Sequence, residues 1–124
     1  MKRSVLYFDD DLVLLDIFEE MFQHEYEVKT AVALATARRL LSETTFDIII
    51  SDLSMPEISG VDFLQEVARK HPLSIRILVT GYATAGDMLP EIGSGIVQVF
   101  LAKPWHEQEM DQVIKRAVAS LGKF

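Results

Sequence analysis

Apolar residues recur along this chain in two rhythms. Short runs rich in β-branched residues predict strands: Val5-Leu6-Tyr7-Phe8, Phe46–Asp52 with its three consecutive isoleucines, Ser74–Thr80 around Ile75, Ile77, Leu78 and Val79, and Ile96–Ala102. Tyr26–Thr30 instead alternates, as a half-exposed strand near a sheet edge does. Between the runs the apolar spacing turns helical. Leu14, Phe18 and Met21, with Leu15 and Phe22 beside them, share one face of Leu12–Phe22, and Asp16, Glu19, Glu20 and Gln23 fill the other. An Ala-rich helix runs from Ala33 to Leu41, and Val61–Lys70 carries Phe63, Leu64, Val67 and Ala68 on one side before His71-Pro72 ends it. The last helix is the clearest, with Met110, Val113, Ile114, Ala117, Val118 and Leu121 on one face.

The connection between the fourth and fifth strands breaks the rhythm. Gly86, Pro90, Gly93 and Gly95 lie in or around it, and a proline inside a helix costs roughly 3 kcal/mol. The sequence predicts a short, weakly held helix there, distorted or mobile from Thr84 to Gly95.

Five strands alternating with helices predict an α/β fold, a parallel sheet covered on both faces, and right-handed crossovers leave few topologies. The expected architecture is a (βα)5 flavodoxin-like three-layer sandwich with strand order 2-1-3-4-5, which sets strands one and three side by side at the switch point. With 124 residues, 49% of them hydrophobic, the chain suits a single domain over residues 1–124. Having no cysteine, it has no disulfides or thiolate metal sites, and no apolar run is long enough to span a bilayer, so a cytoplasmic setting is expected. A net charge of −7 argues against direct binding to nucleic acid or to an anionic membrane.

The chemistry gathers at the carboxyl ends of the strands. The first strand runs into Asp9-Asp10-Asp11, and the third ends at Asp52, followed by Leu53-Ser54-Met55-Pro56 and Gly60. The expected strand order brings Asp9, Asp10 and Asp52 into one crevice, where like charges raise one another's pKa unless a cation intervenes. With oxygen ligands and no clustering of His24, His71 and His106, the hard cation Mg2+ suits the site. Thr80 and Lys103, at the ends of strands four and five, add a hydroxyl and an ammonium useful to a phosphoryl group. Taken singly, these residues have ordinary readings: Thr80 as a strand-end hydroxyl, Lys103 as a solvated lysine, Asp11 at the positive end of the first helix. Jointly they point to one site.

Those motifs, together with Lys103-Pro104, resemble a response-regulator receiver domain over essentially the whole chain. The resemblance implies that Asp52 takes a phosphoryl group from a sensor histidine kinase or a phosphotransfer protein. It implies Mg2+ held by Asp9, Asp10, Asp52 and the main-chain carbonyl of Ser54, with Asp9 acting through water. Lys103 would pair with Asp52 and then with a phosphoryl oxygen, Thr80 would swing toward that group, and Phe100 would turn inward behind it. The surface formed by the connecting helix, the fifth strand and the last helix would then change, controlling an effector or homodimerisation. Ser54 and Tyr82 would flank the phosphoryl group, with Tyr82 shielding it from water. Such a domain is a signalling phosphoacceptor rather than an enzyme.

Two alternatives stay open at this point. Asp9-Asp10-Asp11-Leu12-Val13 also fits the start of a Mg2+-dependent haloacid-dehalogenase-type phosphatase, with Asp9 as nucleophile and Asp11 as acid. The other is a receiver-like docking module that is never phosphorylated. The sequence names no cognate kinase, signal or output, and it suits a stand-alone receiver as well as part of a larger regulator.

Overall fold

The continuous apolar runs form the interior of the sheet because both of their faces must be covered. The computed structural model describes residues 2–81 and 94–121. Its strands are β1 (Ser4–Phe8), β2 (Glu27–Ala31), β3 (Ile48–Asp52), β4 (Ile75–Gly81) and β5 (Val99–Lys103). Its helices are α1 (Leu12–Phe22), α2 (Leu34–Glu43), α3 (Gly60–Lys70) and α4 (Glu107–Ser120). Every residue of β1 and β3 is buried, whereas β2, at one edge, alternates.

The strands are all parallel in the order β2-β1-β3-β4-β5, so the flavodoxin-like α/β expectation holds. Alternate side chains divide the core in two. Val5, Tyr7, Ile48, Ile50, Ile75, Ile77 and Val79 pack with Phe18 of α1 and Met110 and Ile114 of α4. Leu6, Phe8, Ile49 and Leu78 pack on the other face with Ala37 and Leu41 of α2 and Phe63, Leu64 and Val67 of α3. Arg38 forks onto both carboxylate oxygens of Glu66, at 2.9 and 3.0 Å, and ties α2 to α3.

The fifth strand begins three residues later than its apolar run predicts. The cause is Arg76, a buried cation within β4 that the hydrophobic pattern passes over. Its guanidinium donates to the carbonyls of Gly95 at 3.0 Å and Ile96 at 2.7 Å, and to Ser74 O at 2.9 Å. Gln98 bonds both polar atoms of the Arg76 backbone, its Oε1 accepting the N–H at 2.8 Å and its own N–H donating to the carbonyl at 3.0 Å. Gly95 and Ile96 therefore turn toward the guanidinium, and Gln98 onto the Arg76 backbone, before the regular ladder begins at Val99. The expected helix between β4 and β5, including Pro90 and most of the stretch from Thr84 to Gly95, lies outside the described residues. Among the described residues no helix is long and apolar enough to cross a membrane.

Candidate functional site

Phe8 of β1 stands in register with Ser51 of β3, so the next residue of each chain, Asp9 and Asp52, emerges at the same rim of the sheet. Asp9 is fully buried and Asp52 nearly so, while Asp10 faces solvent. The three carboxylates each bring an oxygen within 4.8 Å of the others, as the expected strand order requires. Both oxygens of Asp9 are engaged: Oδ1 accepts the Asp11 N–H at 2.9 Å, and Oδ2 takes the Lys103 ammonium at 2.8 Å. Asp11 has the helix-starting role read from the sequence, its Oδ1 accepting the Leu14 N–H at 3.2 Å as the N-cap of α1.

Lys103, the last residue of β5, reaches back across two strands. Its Nζ lies 2.8 Å from Asp9 and 3.1 Å from Asp52 Oδ1. Burial raises the Asp52 pKa above its ordinary value; Lys103 opposes this, and Asp9 and Asp10 add to it by repulsion. Burial works against the Lys103 ammonium, but its bonds to Asp9 and Asp52 prevail and hold its pKa above the usual lysine value. Three carboxylates thus face one ammonium in a mostly buried rim. Their hard oxygens, close spacing and unbalanced charge suit a divalent cation such as Mg2+.

Thr80 lies at the same rim, almost fully buried and one residue beyond Val79, the register partner of Asp52. Phe100 is half-buried in register with Leu78, on the face that Thr80 also takes two residues on. Ser54 and Asp10 line one open cleft with Leu53, Met55, Pro56 and Ser59. Tyr82 lies outside the described residues.

Gly60 does more than allow a turn. Its N–H donates to the Leu53 carbonyl at 2.8 Å, and a Cβ on it would fall onto the Asp52 carbonyl oxygen and within 2.8 Å of Leu78 Cδ1. The start of α3 therefore rests directly on the backbone of Asp52, a close approach that only glycine permits. In the same loop, Glu57 Oε1 accepts the Leu34 N–H at 3.0 Å and caps α2, whose own N-cap residue, Ala33, offers no side-chain acceptor. A residue in the wrong place for a strand or turn is the signal that could have found both: a glycine at a helix start, and an acid three residues before it.

Beneath the crevice lies Tyr7, a fully buried residue of β1. Burial drives its phenol far above the ordinary tyrosine pKa; the hydrogen bond from Trp105 opposes this, and Asp9, Asp52 and Asp11 reinforce it. Trp105 packs below the first turn of α4, beside Phe18 and Met110.

The phosphatase alternative meets two obstacles in this geometry. Asp9 is buried with both oxygens taken, so it is poorly placed to attack a substrate, and Asp11 is occupied as a helix cap.

Residues 5–115 match the family of response regulator receiver domains, and the chain belongs to it. HoxA of Cupriavidus necator, a hydrogenase transcriptional regulatory protein, is 29% identical over 121 residues, covering 98% of this chain and 25% of that protein. The transcriptional regulatory protein GlrR of Escherichia coli is 30% identical over 115 residues, or 92% of this chain and 26% of its own length. The chain thus spans about a quarter of the length of these relatives. Among solved structures, a response regulator receiver domain protein from Clostridium thermocellum superposes with a TM-score of 0.85 at 26% identity, covering 94% of each chain. The response regulator TrrA of Thermotoga maritima, solved in complex with Mg2+ and BeF, shares the fold with a TM-score of 0.78 at 24% identity, over 93% of this chain and 98% of its own. Receiver domains of two-component response regulators are signalling modules rather than conventional enzymes.

Proposed function

We propose that Asp52 is a phosphoacceptor, charged by a phosphohistidine on a sensor histidine kinase or a phosphotransfer protein in a Mg2+-dependent reaction. One observation carries this reading: a nearly buried carboxylate at a strand end, with two further carboxylates within 4.8 Å and an ammonium at 3.1 Å. Asp9, Asp10, Asp52 and the main-chain carbonyl of Ser54 are the groups that would hold Mg2+, which when bound supplies positive charge against the carboxylates and the phosphoryl oxygens. Asp9, with both oxygens already engaged, suits contact through water better than direct ligation.

In the transfer, a carboxylate oxygen of Asp52 forms the new O–P bond as the P–N bond of phosphohistidine breaks, and the imidazole nitrogen keeps the electron pair. Lys103 exchanges its contact with Asp52 for one with a phosphoryl oxygen, a charge-assisted bond of the same kind. The Thr80 hydroxyl then donates to another phosphoryl oxygen. Phe100, on the same face as Thr80, turns inward as that hydroxyl moves. The surface of the connecting segment, β5 and α4 shifts toward the form that binds an effector or a second copy of the chain, with Tyr82 limiting the approach of water to the phosphoryl group. A cytoplasmic location and no direct contact with nucleic acid or membrane go with this reading. The output remains specific to whatever accompanies the domain, since its relatives include transcriptional regulators and a protein-glutamate methylesterase.

Incubation with acetyl phosphate and Mg2+ followed by intact mass measurement tests the assignment. One phosphoryl adduct per chain is expected, absent in Asp52→Asn and absent when the metal is chelated. An adduct that persists in Asp52→Asn overturns it. Sizing of the same samples reports whether phosphorylation drives dimerisation.

A further inference from the structure

Two rungs join the end of β1 to the end of β5 and the residues just beyond it, although β3 and β4 lie between those strands. The first is the pairing of Lys103 with Asp9. The second stands two residues away at both ends: the Trp105 indole N–H donates to the Tyr7 hydroxyl at 3.2 Å. Tyr7 has no exposed surface and Trp105 only 9%. Around them the packing is apolar and aromatic, with Phe18 edge-on to Tyr7 at 4.9 Å and to Trp105 at 6.1 Å.

A buried indole N–H without an acceptor is strongly disfavoured, so the tyrosine oxygen dictates how the Trp105 ring lies. Between Trp105 and Lys103 stands only Pro104, whose ring fixes φ and leaves the loop little freedom. Lys103 itself is held in register with Gly81 of β4. The main chain beneath the ammonium is therefore fixed from β4 on one side and from β1, through Trp105, on the other.

We propose that Tyr7 and Trp105 form a positioning pair whose hydrogen bond sets the backbone from which Lys103 reaches Asp52. Neither side chain touches the reacting atoms; both act through Lys103. The pair matters most at the moment of transfer, when the ammonium exchanges its contact with Asp52 for one with a phosphoryl oxygen. The second rung then keeps the lysine loop in place. This inference rests on the reading of Asp52 as the phosphoacceptor.

The test compares the rate of adduct formation from acetyl phosphate and Mg2+ in the wild type, Tyr7→Phe, Trp105→Phe and the double variant, each also placed in a Lys103→Met background. Tyr7→Phe keeps the ring and its packing, so the test stands even if Trp105→Phe folds poorly. Each single variant is expected to be about fivefold slower, as small misplacements of a reacting group are, and the double variant no slower than either. Mg2+ affinity by calorimetry should stay unchanged, and in Lys103→Met the same substitutions should change nothing further. Wild-type rates in the single variants, a slowing that persists without Lys103, or a matching loss of Mg2+ affinity would each overturn the pair's role. Absence of any Asp52 adduct on the wild type would instead overturn the acceptor reading, and this inference with it.

Discussion

Two cations, Arg76 buried and Lys103 half-buried, on neighbouring strands and at opposite ends of the sheet, show how differently one charge can be used. Lys103 ends β5 at the acidic rim, and its partners are carboxylates. Arg76 lies near the start of β4, and the partners of its guanidinium are the carbonyls of Ser74, Gly95 and Ile96. Among the described residues no carboxylate pairs with it. The electrostatic result is opposite in sign. Carboxylates hold the Lys103 pKa up, whereas burial lowers that of Arg76. Arg76 stays protonated even so, because a guanidinium ionises only far above neutral pH. A compact ammonium among like-charged acids can change partners when a new anion arrives; a fork locked onto main-chain carbonyls cannot. The first arrangement suits chemistry and the second suits architecture.

Removing each charge should separate the two roles. The largest expected effect on stability is from Arg76→Met, which leaves the Ser74, Gly95 and Ile96 carbonyls without their donor at the buried Arg76 position and should cost about 3 kcal/mol in chemical denaturation. That loss should be indifferent to Mg2+. Lys103→Met should slow adduct formation from acetyl phosphate by about 30-fold, equivalent to about 2 kcal/mol in the barrier, with Mg2+ present. Without metal the same variant leaves Asp9 buried and short of a counter-charge, so its thermal midpoint should fall and recover on adding Mg2+ more than the wild type's rises. If Mg2+ rescues Arg76→Met equally, the contrast between the two cations is wrong.

A smaller effect concerns Asp52 itself. Its folded-state pKa is raised, so the folded protein binds that proton more tightly than the unfolded chain does. Its contribution to stability is present at pH below the ordinary carboxylate value and is lost as pH rises through the folded value. At neutral pH the ionised side chain therefore burdens the metal-free fold. Asp52→Asn should raise the metal-free midpoint at pH 7, and the gain should shrink as the pH falls below the Asp52 pKa. A midpoint unmoved at pH 7 would show that Lys103 already compensates the burial in full.

The architecture was largely legible because it follows from repeated features. Ile48-Ile49-Ile50 demands cover on both sides, and each amphipathic helix supplies part of that cover. The acidic rim was legible for the same reason: parallel strands all end on one side, so Asp9, Asp52, Thr80 and Lys103 had to share it. What escaped were residues whose role depends on a single distant partner. Arg76, inside Ile75–Val79, looks like an interruption until the turn at Gly95 and Ile96 closes around it. The depth of Asp9 could not be read from three consecutive aspartates, since only the path of the chain decides which one turns inward. The hydroxyl of Tyr7 carried a hint, because a phenol in an otherwise apolar strand needs a polar neighbour.

The contact between Gly60 and the Asp52 carbonyl has one more effect. With α3 butted against it from behind, the tip of β3 would have no room to recoil if its carboxylate took on the bulk and charge of the proposed phosphoryl group. Any such load would be relieved on the open side, through side-chain torsions and the chain beyond Lys103, so the first turn of α3 would work as an anvil that directs the response outward.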